Sequence, residues 1–326
     1  MDKAGSKVNE DIPNKVGLGK ASYSRNAYGE TLVEIGKKDK NVVVLDADLS
    51  GSTRTAYFAK EFSDRFFNMG VAEQNMMVTA AGLASCGKIA FVSSFCMFAT
   101  MRVLDQIRNT VSYNNLNVKI AVSHSGLTVG EDGSSHQALE DLAIMRAIPR
   151  MRVIVPCDSS QTKEAILCAY SQPGPFYIRF GRSKVPEIEG KDEFVLGKGQ
   201  LLNRGKDVAI ISTGIMVAQS VRALDELRAS GINPYLANMP TIKPIDKELI
   251  LDLAKKVKAF VVCEEHSIIG GLGSAVAEVL SENCPKKIKR IGVNDRFGQS
   301  GTPEQLLKEY GLEPEDIAKA VKEILR

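Results

Sequence analysis

The chain has 326 residues, long enough for two domains of ordinary size, each with its own core. Its hydrophobic share of 44% and charged share of 25% are those of a soluble globular protein, and a net charge of +3 without a long basic run gives no basis for binding nucleic acid or a membrane surface. The polar start MDKAGSKVNEDIPNK lacks the apolar stretch of a signal peptide, no run reaches bilayer-spanning length, and six dispersed cysteines without a C-x-x-C pair read as reduced thiols of a cytoplasmic protein.

Residues 1–16 offer little to bury and read as a flexible tail. Apolar β-branched runs at 42–45, 89–93, 119–123, 153–155 and 177–180 then alternate with helical patterns at 26–37, 71–86, 96–112, 139–147 and 159–171. Strands without polar alternation suit a parallel sheet covered on both faces, so residues 17–184 are expected to form one doubly wound domain. A polar stretch with Pro186 and Gly190 marks a linker, taken as 185–196. The rhythm restarts with strands at 208–212, 234–237, 260–263 and 289–293. Helices follow at 215–230, 246–256, 271–283, 303–309 and 314–325, a second domain over 197–326. The fold class is therefore α/β, with two doubly wound, mainly parallel-sheet domains.

Polar residues concentrate just after the strands of the first domain, the carboxyl edge where open α/β sheets bind ligands. In GVAEQN (70–75), Glu73 falls in a helical first turn, where an acid can simply complement the helix dipole. A chemical role instead needs a buried carboxyl able to share a proton with a ring nitrogen, and Met69, Val71, Met76 and Met77 provide an apolar setting for one. Phe95, Phe98 and Met101 recur at helical spacing, which suits core packing or stacking of a flat heteroaromatic ring. The segment SHSGLTVGEDGSSHQ (123–137) holds two of the three histidines, His124 and His136, with Glu131, Asp132 and three glycines. Such a loop does little for packing and reads as a site; its spacing does not suit a metal. Arg25, Asp48, Ser52 and Arg182 lie at or near strand ends, and arginines so placed could clamp a phosphorylated substrate.

Taken together, GVAEQN (70–75), SHSGLTVGEDGSSHQ (123–137), SRNAYGETL (24–32) and LDADLSGS (45–52) resemble the C-terminal half of transketolase, its pyrimidine-binding domain followed by its C-terminal domain. The resemblance runs from about Ala21 to the end. It implies thiamine diphosphate as cofactor and ketol transfer between sugar phosphates. Glu73 would hydrogen-bond N1′ of the aminopyrimidine and so promote loss of the thiazolium C2 proton. Phe95, Phe98, Met101 and Asp48 would line the cofactor, Phe95 as the favoured stacking partner. His136 and Asp132 would contact substrate hydroxyls near the reacting carbons, with His136 counted among the catalytic groups. His124, Arg25, Ser52 and Arg182 would hold the sugar phosphate.

The sequence departs from the family at Met101, where many bacterial transketolases have tyrosine. A larger departure is the lack of the Gly-Asp-Gly segment and later asparagine through which the family binds the diphosphate and Mg²⁺ (or Ca²⁺). The near match Glu131-Asp132-Gly133 sits in the substrate loop, so no metal ligand is expected in this chain. With Met1 and a polar tail read as a natural start, the chain is expected to be one subunit of a split transketolase, paired with a separate diphosphate-binding subunit in a two-plus-two heterotetramer. Residues from about 195 are expected to serve assembly. The glycines after 262–266 fail the G-x-G-x-x-G spacing, and His266 reads as structural. Alternatives are the matching half of a deoxyxylulose-phosphate synthase, a 2-oxoacid dehydrogenase β subunit, or a non-catalytic regulatory subunit.

Overall fold

A computed structural model describes residues 16–326. The tail expected over 1–16 lies outside them except for Val16, which packs against the second domain's core. The first half runs β1 (Gly17–Ser22), α1 (Ser24–Lys38), β2 (Val42–Asp46), α2 (Ser50–Thr53), α3 (Ala56–Glu61), β3 (Phe66–Asn68), α4 (Glu73–Ser85) and β4 (Ile89–Ser93). It continues with β5 (Val118–Val122), α5 (Asp141–Ala147), β6 (Arg152–Ile154), α6 (Ser159–Ser171), β7 (Phe176–Arg179) and β8 (Val185–Glu189). The second half comprises β9 (Gln200–Asn203), β10 (Ala209–Ser212), α7 (Met216–Ala229), β11 (Tyr235–Asn238), β12 (Thr241–Lys243), α8 (Lys247–Lys256) and β13 (Ala259–Ser267). It ends with α9 (Leu272–Asn283), β14 (Lys287–Val293), α10 (Pro303–Glu309) and α11 (Pro314–Leu325).

The described residues form a seven-stranded sheet in the order β12-β6-β7-β5-β4-β2-β3, a five-stranded sheet β14-β13-β10-β11-β9, and the β1-β8 pair. Both large sheets are parallel except at one edge, where β12 and β9 run antiparallel. The α/β expectation holds: β2 and β5 are apolar save for Asp46 and Lys119 and buried throughout, as strands covered on both faces must be.

Three expectations need correction. The 185–196 segment is irregular only from residue 190 on, because Val185–Glu189 form β8, which pairs antiparallel with β1 and is fastened by fully buried Asp158. That carboxylate accepts from the N–H of Ile188 at 2.9 Å, from Lys191 at 2.7 Å, and from the Gln161 N–H at the start of α6. The helix expected over 96–112 is a run of turns as far as Val103, and then a π-helix at Gln106–Ser112. Its first turn is disturbed by Thr100, whose hydroxyl donates to the Cys96 carbonyl at 2.6 Å, a bond that competes with regular helix. The two halves also do not keep separate cores. β12 of the second half completes the first sheet, and one apolar cluster runs from Leu45 and Met76 to Ile211 and Phe260.

Lys119 stands fully buried in β5, where its ammonium donates to the carbonyls of Gln172 at 2.7 Å and Gly174 at 2.8 Å. Burial lowers its pKa from 10.5 to about 7. Between those values the unfolded chain binds the proton and the native chain does not, so native stability gains from this group as pH rises through that window. Lys119→Met is expected to flatten the gain between pH 7.5 and 9.5 in urea unfolding; an unchanged slope would contradict the assignment.

Candidate active site

Five adjacent strands, β7-β5-β4-β2-β3, deliver their C-terminal ends to one rim. Beyond β4, Phe95 bridges in parallel to Ser123 beyond β5, and the Cys96 N–H donates to the Ser123 carbonyl at 2.8 Å. The aromatic segment and the histidine loop are thereby locked side by side. His124 takes a left-handed backbone (φ 58°), which turns its ring back onto Phe95, stacked at 3.8 Å between centroids. Phe98 lies 6.2 Å from Phe95, and His136 meets Phe98 edge-on at 5.1 Å. These four residues form one ring cluster. Phe95 is only 8% exposed and has one face covered by His124, whereas Phe98, Met101 and His136 are half-buried.

Glu73 opens α4 and is 2% exposed. Met76 and Met77 on the same helix are fully buried, whereas Val71 is 76% exposed. The carboxylate accepts a 2.8 Å hydrogen bond from Arg102, whose guanidinium also lies 4.5 Å from the Phe98 ring centre. Arg102 therefore joins Glu73 to the ring cluster. Nothing in the sequence marked it, because its partner lies 29 residues away.

Cationic groups gather around His124. Arg25 donates to the Ser52 carbonyl at 3.2 Å. Its pKa is lowered by burial and by the neighbouring Arg54 and Arg182 charges. Arg54, also absent from the sequence expectations, is half-buried with a left-handed backbone and donates to Asn26 at 2.9 Å. Arg182 donates to the Val129 carbonyl at 2.6 Å and to Glu131 at 3.1 Å, with Asp132 at 3.9 Å. Burial, then Arg25 and Arg182, pushes the His124 imidazole down to about 3, so it is neutral at physiological pH. A neutral ring beside three guanidiniums offers hydrogen bonds to an anion without adding charge.

Asp48 is exposed and accepts from the Asn68 amide at 2.8 Å. The loop's organiser is the neighbour Asp46, fully buried, which accepts from the Leu49 N–H and the hydroxyls of Thr53 and Thr55 at 2.6–2.8 Å. His266 caps α5: its Nε2 accepts from the N–H groups of Leu142 and Ala143 while Nδ1 donates to the Ser267 carbonyl.

The residues present suit the aminopyrimidine end of a thiamine-type cofactor, with a buried carboxylate and accessible aromatic surface within one cluster. Among the described residues, no group of three or more His, Cys, Asp or Glu could hold a metal ion. No helix among them is long and apolar enough to cross a membrane.

Comparison with known proteins identifies both domains. Residues 21–187 match the transketolase pyrimidine-binding domain and residues 197–317 the transketolase C-terminal domain. A putative transketolase C-terminal section of Methanocaldococcus jannaschii is 55% identical over 307 residues, covering 93% of this chain and 96% of that protein. The 6-deoxy-6-sulfo-D-fructose transketolase subunit of a Clostridium species is 44% identical, covering 93% and 94%. A 1-deoxy-D-xylulose-5-phosphate synthase of Caldanaerobacter subterraneus is 38% identical, and this chain spans 49% of its length. Among solved structures, a split-gene transketolase described as an inactive beta4 tetramer superposes with a TM-score of 0.87 at 51% identity, covering 94% of this chain and 99% of that one. The chain belongs to the transketolase family, of which it comprises the pyrimidine-binding and C-terminal domains.

Proposed function

We propose that the chain is the pyrimidine-binding subunit of a split transketolase, active in ketol transfer between sugar phosphates once a separate diphosphate-binding subunit completes the site. The observation that carries this reading is the buried Glu73 carboxylate, joined through Arg102 to the Phe98 ring. The inactive tetramer of a split-gene relative supports the need for a partner.

Thiamine diphosphate, with Mg²⁺ or Ca²⁺ held by the partner, would supply a carbanion-stabilising centre for carbon–carbon cleavage. This chain's residues do the rest. Glu73 engages Arg102 through one oxygen, which leaves the other to share a proton with the aminopyrimidine nitrogen. Phe98, Met101 and Phe95 line the ring, Phe95 from beneath His124, and Asp48 stands on the same rim. Arg25, Arg182, His124 and the Ser52 loop bind the sugar phosphate, with Arg54 as an added cation. His136 and Asp132 face the substrate hydroxyls, and His136 counts among the catalytic groups. The assembly is a two-plus-two heterotetramer of cytoplasmic subunits.

The test is reconstitution with a separately produced diphosphate-binding subunit, thiamine diphosphate and Mg²⁺. Xylulose 5-phosphate and ribose 5-phosphate are expected to react. The synthase relative favours one second reading, half of a deoxyxylulose-phosphate synthase. Preference for pyruvate as donor would select that reading and overturn the first.

A further inference from the structure

Three consecutive polar residues near the end of β13, Glu264, Glu265 and His266, are all buried. Strand alternation sends Glu264 and His266 to one face, where each caps a helix. Glu264 accepts from the N–H groups of Leu272 and Gly273 at 2.6 and 2.8 Å, and His266 from the start of α5. Glu265 points the other way, out of the second domain and into the histidine loop of the first. Its carboxylate accepts from the Thr128 N–H at 2.6 Å. At Gly126 it approaches so closely that an added Cβ would stand 2.3 Å from the carboxyl carbon, and Gly126 also has φ 73°. The same loop is stitched to the second domain again through Gln137, whose amide donates to the Gln299 carbonyl at 3.0 Å.

The residues placed around the substrate flank this anchor. His124 lies two residues before Gly126, and Asp132 and His136 follow Thr128 on the same loop. A second-domain carboxylate thus fixes the backbone between the phosphate-side histidine and the hydroxyl-side residues. We propose that Glu265 is a positioning residue for substrate binding, holding the 123–137 loop in register from the other domain; this rests on the transketolase reading of that loop.

The reconstituted enzyme tests it. Glu265→Ala is expected to raise KM for xylulose 5-phosphate and ribose 5-phosphate roughly tenfold, the scale of one lost charge-assisted hydrogen bond, while kcat changes much less. Glu265→Gln keeps an acceptor for the Thr128 N–H and is expected to restore KM to near the parental value. A KM unchanged in the alanine variant, or a glutamine variant as impaired as alanine, would overturn the proposal. Amide hydrogen exchange on the chain itself provides an arm independent of turnover. Exchange across 126–130 is expected to quicken in the alanine variant and return in the glutamine variant; unchanged exchange would refute the anchor. Should the parental enzyme transfer no ketol group at all, the functional reading fails, and the exchange arm still decides whether Glu265 holds the loop.

Discussion

Glu73→Ala is expected to lower ketol transfer by the reconstituted enzyme by on the order of 10²–10⁴-fold, the range of a lost proton-transfer partner. The argument rests on where the fold puts this acid. An exposed first-turn glutamate stabilises its helix by about 0.3–1 kcal/mol, and its loss does little else. Glu73 is 2% exposed, faces the ring cluster through Arg102, and has one oxygen engaged in that pair. Arg102 is 46% exposed and can turn to solvent when its partner is removed, so the variant's unfolding midpoint is expected to stay close to the parental one. Glu73→Gln separates proton exchange from hydrogen bonding, since it keeps the shape and loses the acid. Near-normal turnover in either variant would refute the assigned role.

Arg179→Leu is expected to cost about 3–5 kcal/mol of stability, the scale of breaking a buried ion pair from one side. Arg179 meets fully buried Asp141 at 2.8 Å, and the same Asp141 oxygen accepts from the Tyr177 hydroxyl at 2.6 Å. Burial alone would raise the Asp141 carboxyl, but Arg179, His266 and the Tyr177 hydroxyl together outweigh it and hold that carboxyl below its ordinary range. A carboxyl lowered in the native state adds stability above its unfolded pKa and loses it as pH falls through the native value. In the leucine variant Asp141 is left charged and unpaired. Its destabilisation relative to the parent, read from urea unfolding, should therefore shrink between pH 7 and pH 4 as that acid takes a proton. A cost below 1 kcal/mol at pH 7 would contradict the pair's role. Arg179 also donates to the Glu265 carbonyl at 2.8 Å, so the variant should loosen the contact between the two halves.

Central strands were legible because burial on both faces leaves an unbroken apolar run, as at 42–45 and 89–93. Edge elements were not. β3, β9 and β12 are three or four residues long and owe their existence to a neighbour distant in sequence, as Thr241 does to Ile154. The strand at the start of the expected linker was missed for the same reason, since Pro186 and several charges signal a loop, whereas Val185–Glu189 pair as β8 and are fastened by buried Asp158. In the site, motif-borne residues such as Glu73, His124 and His136 could be named in advance. Arg102, Arg54 and Glu265 could not, because each acts through a partner 28 to 137 residues away. Exposure was also illegible: Val71 has the composition of a buried neighbour to Glu73 and points to solvent.

The most direct measurement is ketol transfer from xylulose 5-phosphate to ribose 5-phosphate, with thiamine diphosphate and Mg²⁺, as a diphosphate-binding subunit is titrated into this chain. Activity should be absent for either chain alone and rise to a plateau at equal numbers of the two subunits. Sustained turnover by this chain without the partner would contradict the split-site account.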